Sequence, residues 1–478
     1  MNKINFLNQS TSLTIIIIVS LIFSLIGIVY SKKYQTMNDY LTANRSIGVI
    51  SLSCSLVASA LGAWILFGPA SAATWGGIGA VIGYALGTAF PMIFLIFLGK
   101  KIRDEFPKGS TLIEFLRKKF SKTLFKLILL LTIFYMFIFL CAEVTAVALL
   151  INYISGIELW ITAFIILICT LVYTLYGGLK VSIFTDNIQL GVILILLFVS
   201  FFYISSSIST EFSFSFIKEK NPNLLSYKYI SNYTAGLTFF IAVAATNLFH
   251  QGNWQRVYAA KSNAVLKKSL ITASILIVPI VFFMGFCGLV AISINSKVVP
   301  DLGFFSLLFF DQKEFLSIVI IILGLSLTIS TIDTLFNAIS SLIVVDGKAT
   351  FNLKNKIDYF KFSKYFIIGL SIISFLIASN GFSVLYLFLL ADLFCCAFVL
   401  TVFFSFYAKN LNEKTAYASI IFGLIFGFLL FPAPDFSKSL LVGIIFPIEI
   451  FPYFISQSLL FLSFLIATFA PILIWKLR

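Results

Sequence analysis

A chain of 478 residues that is 60% hydrophobic and 17% aromatic, with only 11% charged residues, cannot fold as a soluble domain of that size. Its formal charge of +14 does not point to nucleic acid, because the lysines and arginines are scattered between apolar runs, as the positive-inside rule expects of a polytopic membrane protein. A single histidine, His250, excludes a histidine-built metal centre, and six cysteines, all in apolar segments, exclude a disulfide framework.

Hydropathy and turn residues predict an all-α polytopic membrane protein with about 13 transmembrane helices. They lie near 12–30, 47–74, 76–99, 124–153, 158–176, 183–206, 232–252, 265–293, 315–345, 364–380, 383–408, 415–432 and 453–475. The first run lacks a small-residue cleavage motif and is expected to be retained as a span. Placing the N-terminus outside and the C-terminus in the cytoplasm puts most basic residues inside, among them Lys32, Lys33, Arg45, Lys409, Lys414 and Arg478. The expected location is the plasma (inner) membrane, crossed many times.

The second span, SLSCSLVASALGAWILFGPASAATW, carries Ser59, Gly62, Gly68 and Pro69 at a depth where lipid demands an unbroken helix. Such backbone is tolerated only where it lines a cavity, and its freed carbonyls then become ligands. Gly79, Gly83 and Gly87 in the third span predict close helix packing. The basic segment STLIEFLRKKF, at 110–120, is expected to form an amphipathic helix on the cytoplasmic surface.

Glu143 lies in the fourth span and Asp392 in the eleventh. An acid in such a position is a site hypothesis by default. The expected roles are solute contact or structural pairing for Glu143 and a gate or an ion pair for Asp392. Residues 173–189, YTLYGGLKVSIFTDNIQ, form an inner Gly-Gly turn followed by Asp186 at the mouth of the bundle. The seventh span loses its apolar character from Thr246 onward, and Asn247, His250 and Gly252 predict a second interrupted helix. The two weak points are five spans apart, the spacing of inverted five-helix repeats. In the ninth span, Ser330, Asp333, Thr334, Asn337 and Ser341 recur at three- and four-residue steps, forming a polar stripe that must face protein, water or a cation.

Four segments in the right order, TLIEFLRKKF, YTLYGGLKVSIFTDNIQ, NWQRVYAAKS and STIDTLFNAISSLIVVD, resemble the sodium:solute symporter family over about residues 40–430. The resemblance implies a LeuT-type fold of inverted five-helix repeats with helices 2 and 7 broken. Residues 41–408 (spans 2–11) are then the transport core, 1–40 a peripheral first span and 409–478 peripheral C-terminal spans. It implies a sodium ion held by the Ser330 and Thr331 hydroxyls and the carbonyls of Ala58, Leu61 and Leu327. Asp186 matches the family's inner-mouth aspartate, and with Asp333 and Thr334 is expected to form a second cation or proton site. Ala60, Trp64, Glu143, Thr246 and Asn247 are expected to line the solute cavity. Ala60 departs from the aspartate of proline-type members and the asparagine of sugar-type members. NWQRVYAAKS and LADLFCCA look nearer the urea-type branch.

The implied activity is import of a small polar organic solute, coupled to sodium and needing no other cofactor, by a functional monomer in the lipid bilayer. Proton-coupled uptake and a membrane sensor built on the same core are the alternatives. With one histidine and no Ser-His arrangement, an enzyme is not expected.

Overall fold

The computed structural model describes residues 6–32, 36–351, 358–407, 412–436, 438–439 and 458–476. Lys33, Lys409, Arg478 and the start of the expected last span lie outside the described residues.

Nine described helices are by themselves long and apolar enough to cross a membrane. Dividing the helix Leu159–Ser207 at Gly178 adds a span, because Gly178 takes φ +62, where an L side chain is strained. Two broken helices and the terminal Leu459–Lys476 complete the thirteen expected passes. Polar side chains cap several starts: Asn8, Ser121, Ser262, Asp358, Ser383 and Asn412 each accept from a backbone N–H two or three residues on.

The second span is interrupted where glycine and proline predict it. Its first half, Val49–Ala60, ends at Leu61 (φ −94, ψ 86); Gly62 is extended, and a short 3-10 turn covers Ala63–Leu66. A new helix then starts at Gly68, with Pro69 in its first turn, where a missing N–H does no harm. This helix turns sharply at Gly77 (φ +60) into the third span.

The seventh span breaks at His250 (φ −59, ψ 109), between Ile230–Phe249 and Gln251–Ala259. Carbonyls orphaned by the break are satisfied by side chains from beyond it. Asn253 Nδ2 donates to the Asn247 carbonyl at 2.9 Å, and Trp254 Nε1 to the Leu248 carbonyl at 2.8 Å.

The third span packs backbone to backbone on the seventh. A Cβ at Gly79 would stand 1.7 Å from the Asn232 carbonyl oxygen, and one at Gly83 would stand 2.1 Å from that of Gly236.

The 110–120 segment differs from its expectation. Only Leu112–Leu116 is helical, and Leu112, Ile113, Phe115 and Leu116 are buried. The Thr111–Glu114 capping pair does form, but Thr111 also donates to Asp346 Oδ2 at 2.7 Å, and Gln251 meets Leu112 N and Ser110 O. These bonds draw the segment under the bundle, so it is not an exposed surface helix.

Candidate functional site

Two polar regions adjoin the breaks, and the first of them lies against the ninth span (Glu314–Ser341). The first contains the hydroxyl pair expected to bind sodium. Ser330 and Thr331 are buried in a helix that packs against the second and sixth spans. Ser330 Oγ donates to Asp186 Oδ1 at 2.6 Å, and Thr331 Oγ1 to its own Leu327 carbonyl at 3.1 Å. Across from them, the helical ladder stops at Ala60. In a continuous helix the Ala58 carbonyl would pair with Gly62 N–H, but Gly62 is extended. Leu61 lies in the interruption itself.

Asp186 does not share a cation with Asp333 and Thr334 in the expected way. Its Oδ2 meets Arg256 Nη2 at 2.7 Å, and neither side chain is exposed to solvent. The same guanidinium donates to Ser55 Oγ (2.7 Å), Thr334 Oγ1 (3.0 Å) and the Gly252 carbonyl (3.0 Å). Ser55 in turn donates to Asp186 Oδ2 at 2.5 Å. The positive charge beside Asp186 is thus the protein's own arginine, and Thr334 serves that arginine. Asp333 turns elsewhere, accepting at Oδ1 from Thr174 (2.8 Å) and Asn337 (2.9 Å). Arg256, from the second half of the seventh span, was not singled out by sequence reasoning. The available signal was a buried acid in need of a partner and an arginine in the quoted NWQRVYAAKS segment.

The second region is a cavity of about 30 Å³, room for about two water molecules. Of the residues expected to line it, Ala60, Trp64 and Asn247 do so, joined by Ser59, Tyr84, Phe139, Val243, His250, Phe388 and Asp392. Trp64 Nε1 donates to the Ala60 carbonyl at 3.1 Å and stacks on Tyr84 at 5.6 Å.

Two expected solute contacts, Thr246 and Glu143, are corrected here, and Asp392 is located. Thr246 stands behind the wall and donates to Asp392 Oδ1 at 2.5 Å. Asp392, expected as a gate, is part of the cavity wall itself. Glu143 is not in the wall: it is fully buried behind the second-span break, where its Oε2 accepts from Ala63 N–H at 2.8 Å. It caps the turn whose N–H groups the broken helix leaves unpaired.

Beyond the cavity, at the end carrying residues 300–308, Asp301 joins two spans. It accepts from Ser71 Oγ at 2.8 Å and from Ser383 Oγ at 3.2 Å.

The comparisons agree with this architecture. A structure titled as a substrate-bound, outward-open sodium-coupled sialic acid symporter matches 98% of this chain and 96% of its own, with a TM-score of 0.76 at 18% identity. Mhp1, a nucleobase-cation-symport-1 family transporter, matches 92% of this chain and 96% of its own at a TM-score of 0.54 and 15% identity. Both show the LeuT-type fold. By sequence, the chain is 26% identical over 381 residues to the spermidine transporter DUR31 of Candida albicans, 79% of this chain and 71% of that protein. It is 27% identical over 304 residues to a sodium/glucose cotransporter of Vibrio parahaemolyticus, 56% of this chain and 52% of that one. The match to mouse sodium/glucose cotransporter 1 spans 29% of that protein. The family model for sodium:solute symporters matches residues 40–423, and this chain, a membrane transporter and not an enzyme, belongs to the sodium:solute symporter family.

Proposed function

We propose that the protein is a sodium-driven symporter that imports a small polar organic solute by alternating access, with spans 2–11 as its core. The proposed orientation places the N-terminus outside the plasma membrane and the C-terminus in the cytoplasm. The observation that carries the reading is the adjacent hydroxyls of Ser330 and Thr331, buried in a helix that packs on a second span whose first half ends at Ala60. Hydroxyl and carbonyl oxygens are hard, neutral donors suited to a cation that must also leave.

Ser330 can keep its bond to Asp186 while serving the ion, because a hydroxyl has one donor and two lone pairs. Thr331 differs: its proton rests on the Leu327 carbonyl, so a cation taking that carbonyl competes with it. The Asp186–Arg256 pair links this site to the second span through Ser55 and to the seventh through Arg256 itself. Sodium entry is thereby coupled to both broken helices, which also line the solute cavity. Sodium and solute then favour the same state reciprocally.

The test is solute uptake against sodium concentration in vesicles carrying Ser330→Ala or Thr331→Ala. Either change removes one of roughly five to six oxygen ligands. The sodium needed for half-maximal uptake should rise about tenfold or more, with protein present at wild-type levels. Unchanged sodium dependence in both variants would refute the site. Uptake that follows a proton gradient and ignores sodium would replace the driving ion.

A further inference from the structure

We propose that the solute carries a net positive charge, an ammonium group, with Asp392 as its counter-charge and the aromatic walls as its cage. The proposal rests on the symporter reading and adds the chemical class of its cargo.

The first observation is a carboxylate without a cation. Asp392 is 5% exposed and faces the cavity. Its hydrogen bond from Thr246 engages Oδ1 and brings no charge. The cavity wall holds no lysine or arginine, and none of the ion pairs among the described residues engages Asp392. Asp186, in the same bundle, is given Arg256 at 2.7 Å. The fold thus neutralises one buried acid with its own side chain and leaves the other, in the wall of the cavity, to be met from outside. At membrane depth an acid persists only with a partner or a passing ion.

The second observation is what surrounds it. Four aromatic residues line the cavity with it: Trp64 and Tyr84, stacked at 5.6 Å, and Phe139 and Phe388, edge to face at 4.6 Å. Aromatic faces attract a desolvated ammonium and offer nothing comparable to a sugar hydroxyl or a carboxylate.

The third observation counts against a zwitterion whose anionic group would sit at the second-span break. In transporters with broken helices, the N-terminal ends of the half-helices receive the anionic group of a solute. Here the turn after the second-span break is already occupied by Glu143, which accepts from Ala63 N–H at 2.8 Å. The fit is tight: a Cβ on Gly62 would stand 2.0 Å from Glu143 Oε1. A solute carboxylate would meet a fixed carboxylate at that end and Asp392 in the wall.

The experiment measures binding of radiolabelled 1,4-diaminobutane to the purified full-length protein in nanodiscs with sodium present, and competition by n-butylammonium, proline, glucose and urea. The expected result is displacement by n-butylammonium and none by proline, glucose or urea at hundredfold higher concentration. Asp392→Asn should weaken diamine binding on the order of a hundredfold, as loss of one partner of a buried charge pair does. Asp392→Glu should retain part of it. No binding of either amine to the wild type, displacement by proline, glucose or urea, or unchanged diamine binding in Asp392→Asn would overturn the proposal. If Asp392→Asn does not fold, the wild-type competition series and Asp392→Glu still decide it.

Uptake under a sodium gradient, measured in parallel, separates the two readings. Diamine that binds but is not driven by sodium sinks the symporter and leaves the charge assignment standing. Sodium-driven uptake of glucose with no amine bound does the reverse.

Discussion

Replacing Arg256 with methionine keeps an unbranched stem and removes the guanidinium and its charge. Asp186 would then be a fully buried carboxylate held only by the Ser55 and Ser330 hydroxyls, and the Gly252 carbonyl and Thr334 hydroxyl would lose a donor. Breaking a buried pair from one side destabilises by about 3–5 kcal/mol, because the remaining charge is uncompensated. That is roughly two to four orders of magnitude in an equilibrium constant. The assay is thermal unfolding in detergent, with and without sodium, for Arg256→Met, Asp186→Asn and the double variant. The single arginine variant should melt several degrees lower, and the double variant should recover much of the loss because no lone charge is left inside. Sodium should stabilise Arg256→Met more than wild type, since a cation can stand where the guanidinium stood. If the arginine variant melts with wild type, or the double variant is no better than the single one, the pair does not carry the charge balance argued here.

Glu143→Ala should destabilise by about 1–3 kcal/mol, the range for a buried donor left unpaired, whereas Glu143→Gln, which still offers an oxygen to Ala63 N–H, should melt within a degree or two of wild type. A cysteine at Asn247 should react with a polar thiol reagent and be protected by bound solute, while one at Glu143 should stay inert; labelling followed by mass spectrometry reads both. Gly79→Leu should abolish folded protein in size-exclusion chromatography, because its first side-chain atom already collides with the Asn232 carbonyl. Between the first two spans, burial pushes the Asp39 carboxyl up, but the Thr36 hydroxyl and Lys180 outweigh it and hold it below its usual range. Stability from that group is present above the unfolded carboxylate value and is lost as pH falls through the depressed folded one. Asp39→Asn should therefore flatten the acid side of a stability–pH curve.

The thirteen passes were legible because lipid imposes a length and a hydropathy on each. Both breaks were legible because Gly62 and Pro69, and later Asn247 and His250, are poor residues for an unbroken helix in hydrocarbon. The cap on Ala63 was not legible. Glu143 lies 80 residues from it, and the rule that marks an intramembrane acid as functional does not distinguish an acid that meets solute from one that holds backbone. Asp186 and Arg256 are 70 residues apart, so the arginine could be found only by asking what neutralises the acid. The aromatic walls were hidden for the opposite reason. Among 56 phenylalanines and 19 tyrosines, nothing in the sequence marks Tyr84, Phe139 and Phe388 as facing a cavity and not lipid.

The seam between the third and seventh spans limits how the molecule can shear. With the Gly79 and Gly83 backbones against those of Asn232 and Gly236, no Cβ stands between the two helices at these contacts to act as a bearing. Sliding would drive carbonyl oxygens into Cα atoms, so the two helices travel as a single plank. The contact between the seventh span and the sixth and ninth is of another kind, made of hydroxyls, a carboxylate and a guanidinium. Such groups can trade partners one at a time, with water or an ion filling in between. Slip between the moving parts therefore belongs along that polar plane, and an ion bound there would also act as its brake.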